Sequence, residues 1–199
     1  MKIEKKLWQK GIVKIAGIDE VGRGPLAGPV VACSAFFEKD FIIDEVQDSK
    51  KLTEKKREAF FDIILNSVKT VGIGSASVQE IDEHNIRQAT FMAMNRAVAS
   101  MKMRPDYLLI DGENLPDCGY PSAGVIKGDS TSFTIGAASI VAKVFRDRYM
   151  KELDKQYPIY LFAKNKGYGT AEHIKALKKF GPSPHHRKTF LTKILGEID

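Results

Sequence analysis

Asp19 and Glu20 stand side by side after the apolar run of residues 12–18, and Gly22-Arg23-Gly24-Pro25 follows at once. Two more carboxylates occupy comparable places. Asp111 ends the apolar run Tyr107-Leu108-Leu109-Ile110, and Asp129 lies in Lys127-Gly128-Asp129-Ser130-Thr131-Ser132, ahead of a long helical pattern. Carboxylates at strand ends attract hard cations, and glycines beside them let a substrate backbone come close. The pattern points to metal-dependent chemistry on a phosphate-bearing polymer. Each acidic residue alone also has a structural reading. Asp19-Glu20 can be a solvated strand end, Asp111-Gly112 a turn, and Asp129 an N-cap with Ser130 to Ser132 as competitors.

The metal implied is Mg²⁺ or Mn²⁺, because carboxylate oxygens are the donors on offer. Cys33 and Cys118 match no zinc spacing and read as reduced, partly buried thiols. His185 and His186 are adjacent and poorly placed to chelate one ion together, and His84 reads as a surface helix residue. Two hard cations between converging carboxylates can activate a water and stabilise the leaving oxygen in phosphodiester cleavage.

Convergence requires particular elements. Strands are expected at 12–18, 28–37, 67–78, 107–110 and 123–126, the third despite its two glycines. Helices are expected over 52–65, with Thr53 as N-cap, over 81–103 up to Pro105, over 132–155, and near 171–180. On the 132–155 helix, Ile140, Val141, Val144, Phe145 and Tyr149 fall on one side. If strands 12–18 and 107–110 are parallel neighbours, Asp19 and Asp111 enter one crevice, as carboxyl ends of parallel strands do. Asp129, opening a helix beside them, completes the cluster, and the helix's positive end favours its ionised form. The order of elements gives a mixed α/β domain with a small basic helical appendage.

Charge supports a polyanionic partner. The chain has 199 residues and a net charge of +6, unevenly spread. From Lys143 onward 13 Lys/Arg face 6 Asp/Glu, a balance of +7; the 18 Lys/Arg and 19 Asp/Glu before it leave −1. A near-neutral body with a basic C-terminal third fits a nucleic-acid binder that keeps its acidic groups at a metal site. Lys50 and Lys51, after Ser49, read as phosphate contacts or, for one of them, as an exposed loop charge, and Asn85 and Gln88 as hydrogen-bond partners of a backbone phosphate. His185-His186-Arg187-Lys188 can touch nucleic acid through charge. Asp147, four residues after Lys143, reads as a local ion-pair partner. No apolar run reaches the ~20 residues of a membrane span. The charged N-terminus lacks the apolar stretch of a secretory signal, so the expected compartment is the cytoplasm.

The motifs, in order, resemble ribonuclease HII, the bacterial type 2 ribonuclease H family. They are Gly17-Ile18-Asp19-Glu20-Val21-Gly22-Arg23-Gly24-Pro25-Leu26-Ala27-Gly28-Pro29, Asp48-Ser49-Lys50-Lys51-Leu52, Asn85-Ile86, Leu109-Ile110-Asp111-Gly112, Lys127-Gly128-Asp129, Ala137-Ala138-Ser139-Ile140-Val141-Ala142-Lys143, Gly167-Tyr168-Gly169-Thr170 and Gly181-Pro182-Ser183-Pro184. The resemblance spans almost the whole chain. It implies an α/β fold: a ribonuclease H-like mixed β-sheet flanked by helices over residues 1–155, with a small basic helical C-terminal extension over 156–199. It implies hydrolysis of RNA in RNA–DNA hybrids and nicking of duplex DNA 5′ to embedded ribonucleotides, leaving 3′-hydroxyl and 5′-phosphate ends. The family's carboxylate quartet, which holds two Mg²⁺ or Mn²⁺ ions in the catalytic complex, maps onto Asp19, Glu20, Asp111 and Asp129. Its ribose-sensing loop maps onto Gly22, Arg23 and Gly24, its junction-sensing tyrosine onto Tyr168, and Ser49 and Lys50 fall in a motif assigned to substrate. Glu113 stands where the family often carries Asn. A monomer is expected.

Two rival readings are weaker. A dinucleotide-binding enzyme would use Gly22-Arg23-Gly24 after a strand, but the third glycine of the fingerprint is missing and Asp19-Glu20 would repel a pyrophosphate. A non-catalytic nucleic-acid-binding module would have no need for an intact carboxylate quartet. Metal-dependent cleavage of a hybrid duplex separates all three.

Overall fold

In the computed structural model, residues 2–43, 46, 52–116 and 118–196 are described. Five strands, β1 (Ile15–Val21), β2 (Val30–Phe36), β3 (Thr70–Ala76), β4 (Tyr107–Asp111) and β5 (Ser122–Val125), form one sheet in the order β3-β2-β1-β4-β5. β1 pairs antiparallel with β2 and parallel with β4, in register Ile18↔Ile110. The parallel pair is the arrangement the two apolar runs call for, and it sets Asp19 and Asp111 at matching positions one residue past that register.

Helices cover both faces. α1 (Lys2–Gln9), α2 (Glu54–Ser67), α3 (Val78–Ala99), the short α4 (Gly128–Thr131) and α5 (Phe133–Gln156) precede a 3-10 turn at Pro158–Tyr160. α6 (Phe162–Asn165), α7 (Ala171–Phe180) and α8 (Lys188–Leu195) follow. On one face α3 packs its Ala89, Phe91, Ala93, Met94 and Ala97 against Ala16, Ile18, Val30, Ala32, Leu108 and Ile110. On the other, α5 and α2 cover Cys33, Ala35 and Phe37, while Ile135 of α5 meets Ile15 and Leu109. Gly17 makes the approach of α5 possible, since a Cβ there would stand 2.2 Å from the Ile135 nitrogen. Together these clusters remove the apolar side chains of three layers from water, which is the main stabilising force of such a fold.

Thr53 caps α2 by accepting from the Lys56 amide, as its position before the helix implies. The strand and helix limits otherwise shift by a few residues from those expected. Three differences matter more. α3 is broken at Asn85, whose φ is 64°; the side chain Oδ1 accepts from the amides of Arg87 and Gln88 and so caps the second half of the helix. Phe145 and Tyr149 of α5 are exposed rather than part of its buried side, and line an open cavity with Pro29, Val31 and Ser75. The His185–Lys188 segment does not lie open to nucleic acid at His186 or Arg187, both of which are buried. Lys143 and Asp147 do pair, at 2.9 Å. No helix among the described residues is long and apolar enough to cross a membrane.

Candidate active site

Alternation along β1 separates the two adjacent carboxylates. Asp19 shares a face with Ile15 and Gly17, toward α5, whereas Glu20 shares the α3 face with Ala16 and Ile18. Asp19 is buried, and its Oδ1 accepts the Glu20 amide at 2.7 Å. Burial, reinforced by the charges of Glu20 and Asp111, pushes its carboxyl well above the ordinary aspartate range, against the pull of the Ser139 hydroxyl. Glu20 is raised too, chiefly by burial and partly by Asp111, with Arg23 opposing. Its Oε1 receives Arg23 Nη1 at 3.3 Å.

Asp111, on the parallel neighbour, ends β4. Its Oδ1 accepts from the amides of Gly128, at 2.7 Å, and Asp129, at 3.4 Å. The turn carrying Asp129 is thereby tied by its main chain to Asp111. Asp129 is 1% exposed and sits in α4, a separate turn ahead of α5 rather than in the long helix itself. This turn is braced from behind. The buried Glu4 of α1 accepts from Ser132 Oγ at 2.6 Å and from the amide and hydroxyl of Thr134, each at 3.2 Å. A carboxylate at the start of α5 meets amides that lack helical partners.

A cavity of about 230 Å³ lies between Glu20, Arg23, Asp111 and Glu113 on one side and Thr90, Phe91 and Met94 on the other. Glu113 turns outward to Arg87, whose Nη2 donates to it at 2.7 Å, so the acidic departure from the family pattern has a local partner. A larger cavity beside Phe145 and Tyr149 contains a single carboxylate, Glu80, which Arg96 and the Ser77 amide hold at a pKa of about 2.

The Gly22–Pro29 loop is stitched to two distant segments. Leu26 N donates to Gly167 O, Gly28 N to His185 O, and Arg187 N to Leu26 O, each at 2.8 to 2.9 Å. Two buried arginines complete the scaffold. Arg187 donates to the carbonyls of Gly22, Arg23 and Gly28; Arg146 donates to those of Ala27, Pro29 and Lys166. Neither forms an ion pair among the described residues, and burial lowers Arg187 to about 9, with Arg146's charge adding to the effect. Gly22 is required here: its φ is 94°, and a Cβ would stand 2.3 Å from Arg146 Nε. Tyr168, 44% exposed, brings its ring to Gly24. Thus the Gly22-Arg23-Gly24 loop and Tyr168, remote in sequence, share one rigid ledge.

Asn85 and Gln88 are exposed at the break of α3. Ser49, Lys50 and Lys51 lie outside the described residues. Lys164 pairs with Glu172 at 2.8 Å, so part of the C-terminal charge is locally balanced. Arg146 and Glu4 were not singled out as functional from sequence, and Arg187 was read as a nucleic-acid contact rather than as a scaffold residue; a charged residue inside an apolar helical pattern was the available signal for Arg146.

All-oxygen donors, with Asp19 and Glu20 both resisting ionisation near each other, fit a hard divalent cation, which would relieve their repulsion. No three His, Cys, Asp or Glu side chains among the described residues are already gathered around one point.

A mixed sheet with acidic residues at the ends of its central parallel strands, flanked by helices, defines the chain as a ribonuclease H-like nuclease. The family model described as ribonuclease HII matches residues 16–193. A ribonuclease HII of Caldanaerobacter subterraneus subsp. tengcongensis is 53% identical over 96% of this chain and 80% of its own. One of Caldicellulosiruptor bescii is 48% identical over 98% and 94%. Among solved structures, the ribonuclease H2 of Pyrococcus horikoshii OT3 superposes with a TM-score of 0.75 at 27% identity, covering 91% of this chain and 96% of that one. The chain belongs to the ribonuclease HII family. It is accordingly a ribonuclease H, a divalent-metal-dependent phosphodiester hydrolase.

Proposed function

We propose that this enzyme cuts RNA strands of RNA–DNA hybrids and nicks duplex DNA 5′ to embedded ribonucleotides, leaving 3′-hydroxyl and 5′-phosphate ends. Asp19, Glu20, Asp111 and Asp129 are its catalytic carboxylates and would hold two Mg²⁺ or Mn²⁺ ions. Those ions would supply an activated water and stabilise the leaving oxygen. The observation carrying this reading is the parallel register that sets Asp19 beside Asp111, with the Asp129 turn bonded to Asp111.

The chain's own residues do the selecting. Gly22, Arg23 and Gly24 present main-chain groups to a ribose 2′-hydroxyl, the group distinguishing RNA from DNA. Tyr168, across from Gly24, lies against the following sugar, where a deoxyribose leaves room for the ring. Asn85 and Gln88 meet a phosphate of the bound duplex, the exposed Asn85 amide nitrogen being available once its oxygen caps α3. Ser49 and Lys50 are assigned to the substrate on sequence grounds. Residues 1–155 form the catalytic body and 156–199 a basic extension that presents Tyr168, in a monomer working in the cytoplasm.

The test is cleavage of a DNA duplex containing one ribonucleotide, with Mg²⁺, Mn²⁺ or a chelator. A single nick 5′ to the ribonucleotide, abolished by chelation, supports the reading. Binding without metal-dependent cleavage would transfer the protein to the class of non-catalytic nucleic-acid binders.

A further inference from the structure

Behind Tyr168 runs a line of hydrogen bonds through two buried imidazoles. His173 Nδ1 lies 2.8 Å from the Tyr168 carbonyl oxygen, and His173 Nε2 lies 2.9 Å from His186 Nε2. His186 Nδ1 receives the Ser183 amide at 2.9 Å, with the Ser183 hydroxyl at the same distance. Both rings are buried, against Tyr160 and Phe162.

The two ends of this line have fixed polarity. A carbonyl only accepts, so His173 Nδ1 carries a hydrogen. In a neutral ring Nε2 is then bare and accepts from His186 Nε2–H. That leaves His186 Nδ1 bare, as the Ser183 amide, which only donates, requires. One arrangement of protons satisfies every member. A second proton on either ring sets two donors against each other. Burial lowers both histidines, His186 to about 4, its neighbours His173 and His185 adding to the effect, so the rings are neutral at ordinary pH.

We propose that His173 is a positioning residue, its Nδ1–H holding the main chain of Tyr168 and so fixing its ring opposite Gly24, while His186 and Ser183 fix the tautomer that lets His173 donate. This rests on the reading of Tyr168 as the residue that senses the ribose-to-deoxyribose junction. The alternative is that the two rings merely fill space beneath the ledge.

Imidazole nitrogen NMR of the uniformly ¹⁵N-labelled full chain at pH 7 reads the protons directly. His173 protonated on Nδ1 and His186 on Nε2 are expected; a His173 protonated on Nε2 overturns the proposal. Kinetics on the single-ribonucleotide duplex with Mg²⁺ form the second arm. His173→Asn retains a donor at the Nδ1 position and is expected within about threefold of wild type, whereas His173→Phe, which keeps the ring but no donor, loses at least about tenfold in kcat/KM. Equal rates for the two variants overturn the proposal. Should His173→Phe fail to fold, His173→Asn decides: a rate as low as that of Tyr168→Ala overturns it. Wild-type rates for Tyr168→Ala refute both the junction reading and this one. An impaired Tyr168→Ala beside a fully active His173→Phe refutes this one alone.

Discussion

The ring of Tyr168 faces Gly24 so closely that a methyl group on Gly24 would stand 3.7 Å from Tyr168 Cε1. That distance is ordinary van der Waals contact, so alanine fits the folded protein. The methyl would nevertheless occupy the space in which the sugars at the junction are proposed to lie. Gly24→Ala is therefore expected to leave the melting temperature within about 2 °C. It should lower kcat/KM on a single embedded ribonucleotide by about tenfold or more. Tyr168→Ala should also lose most of that activity, and Tyr168→Phe should keep much more of it if ring packing is what matters. Steady-state kinetics beside thermal melts check all three.

Asp19 and Asp111 are expected to be needed for turnover rather than for binding, because phosphate contacts elsewhere supply affinity. Asp19→Asn and Asp111→Asn should lower kcat by at least about a hundredfold with Kd for the duplex little changed. Removing either charge also relieves repulsion among buried carboxylates, so neither variant should be less stable than wild type. Single-turnover cleavage at saturating Mg²⁺ and a gel-shift titration measure the two quantities; near-wild-type turnover by Asp111→Asn would remove it from the site.

Arg187 donates to three carbonyls from one planar group, which a lysine ammonium cannot reproduce. Arg187→Lys is expected to cost about 2–3 kcal/mol of stability and to loosen the Gly22–Pro29 loop. Arg187→Met should cost more, since it leaves those carbonyls buried without donors. Urea melts supply the energies. Amide hydrogen exchange at residues 22–29 should quicken in both variants.

Glu4 is remote from the carboxylates yet braces the segment that bears Asp129. Glu4→Ala should destabilise the protein by about 2–4 kcal/mol, as several hydrogen bonds to a buried carboxylate are lost. Glu4→Gln retains the accepting oxygen and should cost less. Chemical denaturation distinguishes them, and equal losses would mean that charge at the start of α5 outweighs the hydrogen bonds.

His186 should make the folded state lose stability in mild acid. His186 titrates near 4 when folded against about 6.5 when unfolded, so between those values the unfolded chain binds more protons. The folded state is fully favoured above pH ~6.5 and loses up to about 3 kcal/mol as pH drops to ~4, from this residue alone. Denaturation at pH 7.5 and pH 5.0 should show the loss, and His186→Gln should reduce it. The raised carboxyls of Asp19 and Glu20 act in the opposite sense, so the comparison with His186→Gln decides: an equal pH dependence in the two proteins would contradict the buried neutral pair.

The period of the apolar residues determined the β1 and β4 strands, the α5 helix and the carboxylates at their ends, because burial on alternating or helical faces is written locally. The sugar-sensing roles proposed for Gly22-Arg23-Gly24 and Tyr168 came from the resemblance to the ribonuclease HII family rather than from any local pattern. Three relationships belong to tertiary structure alone. Distance in sequence does not keep Asp111 from Asp19, because the parallel pairing of β1 and β4 brings them together. Arg146 reads as an ordinary basic residue until carbonyls of distant segments surround it, since a main-chain acceptor leaves no mark in the sequence. His186 and Arg187, within a cationic run, read as nucleic-acid contacts; the bridge between Ala27 and His186 turns them inward instead. Local patterns encode which residues leave water, but the partner that satisfies a buried charge is chosen only when separate segments meet.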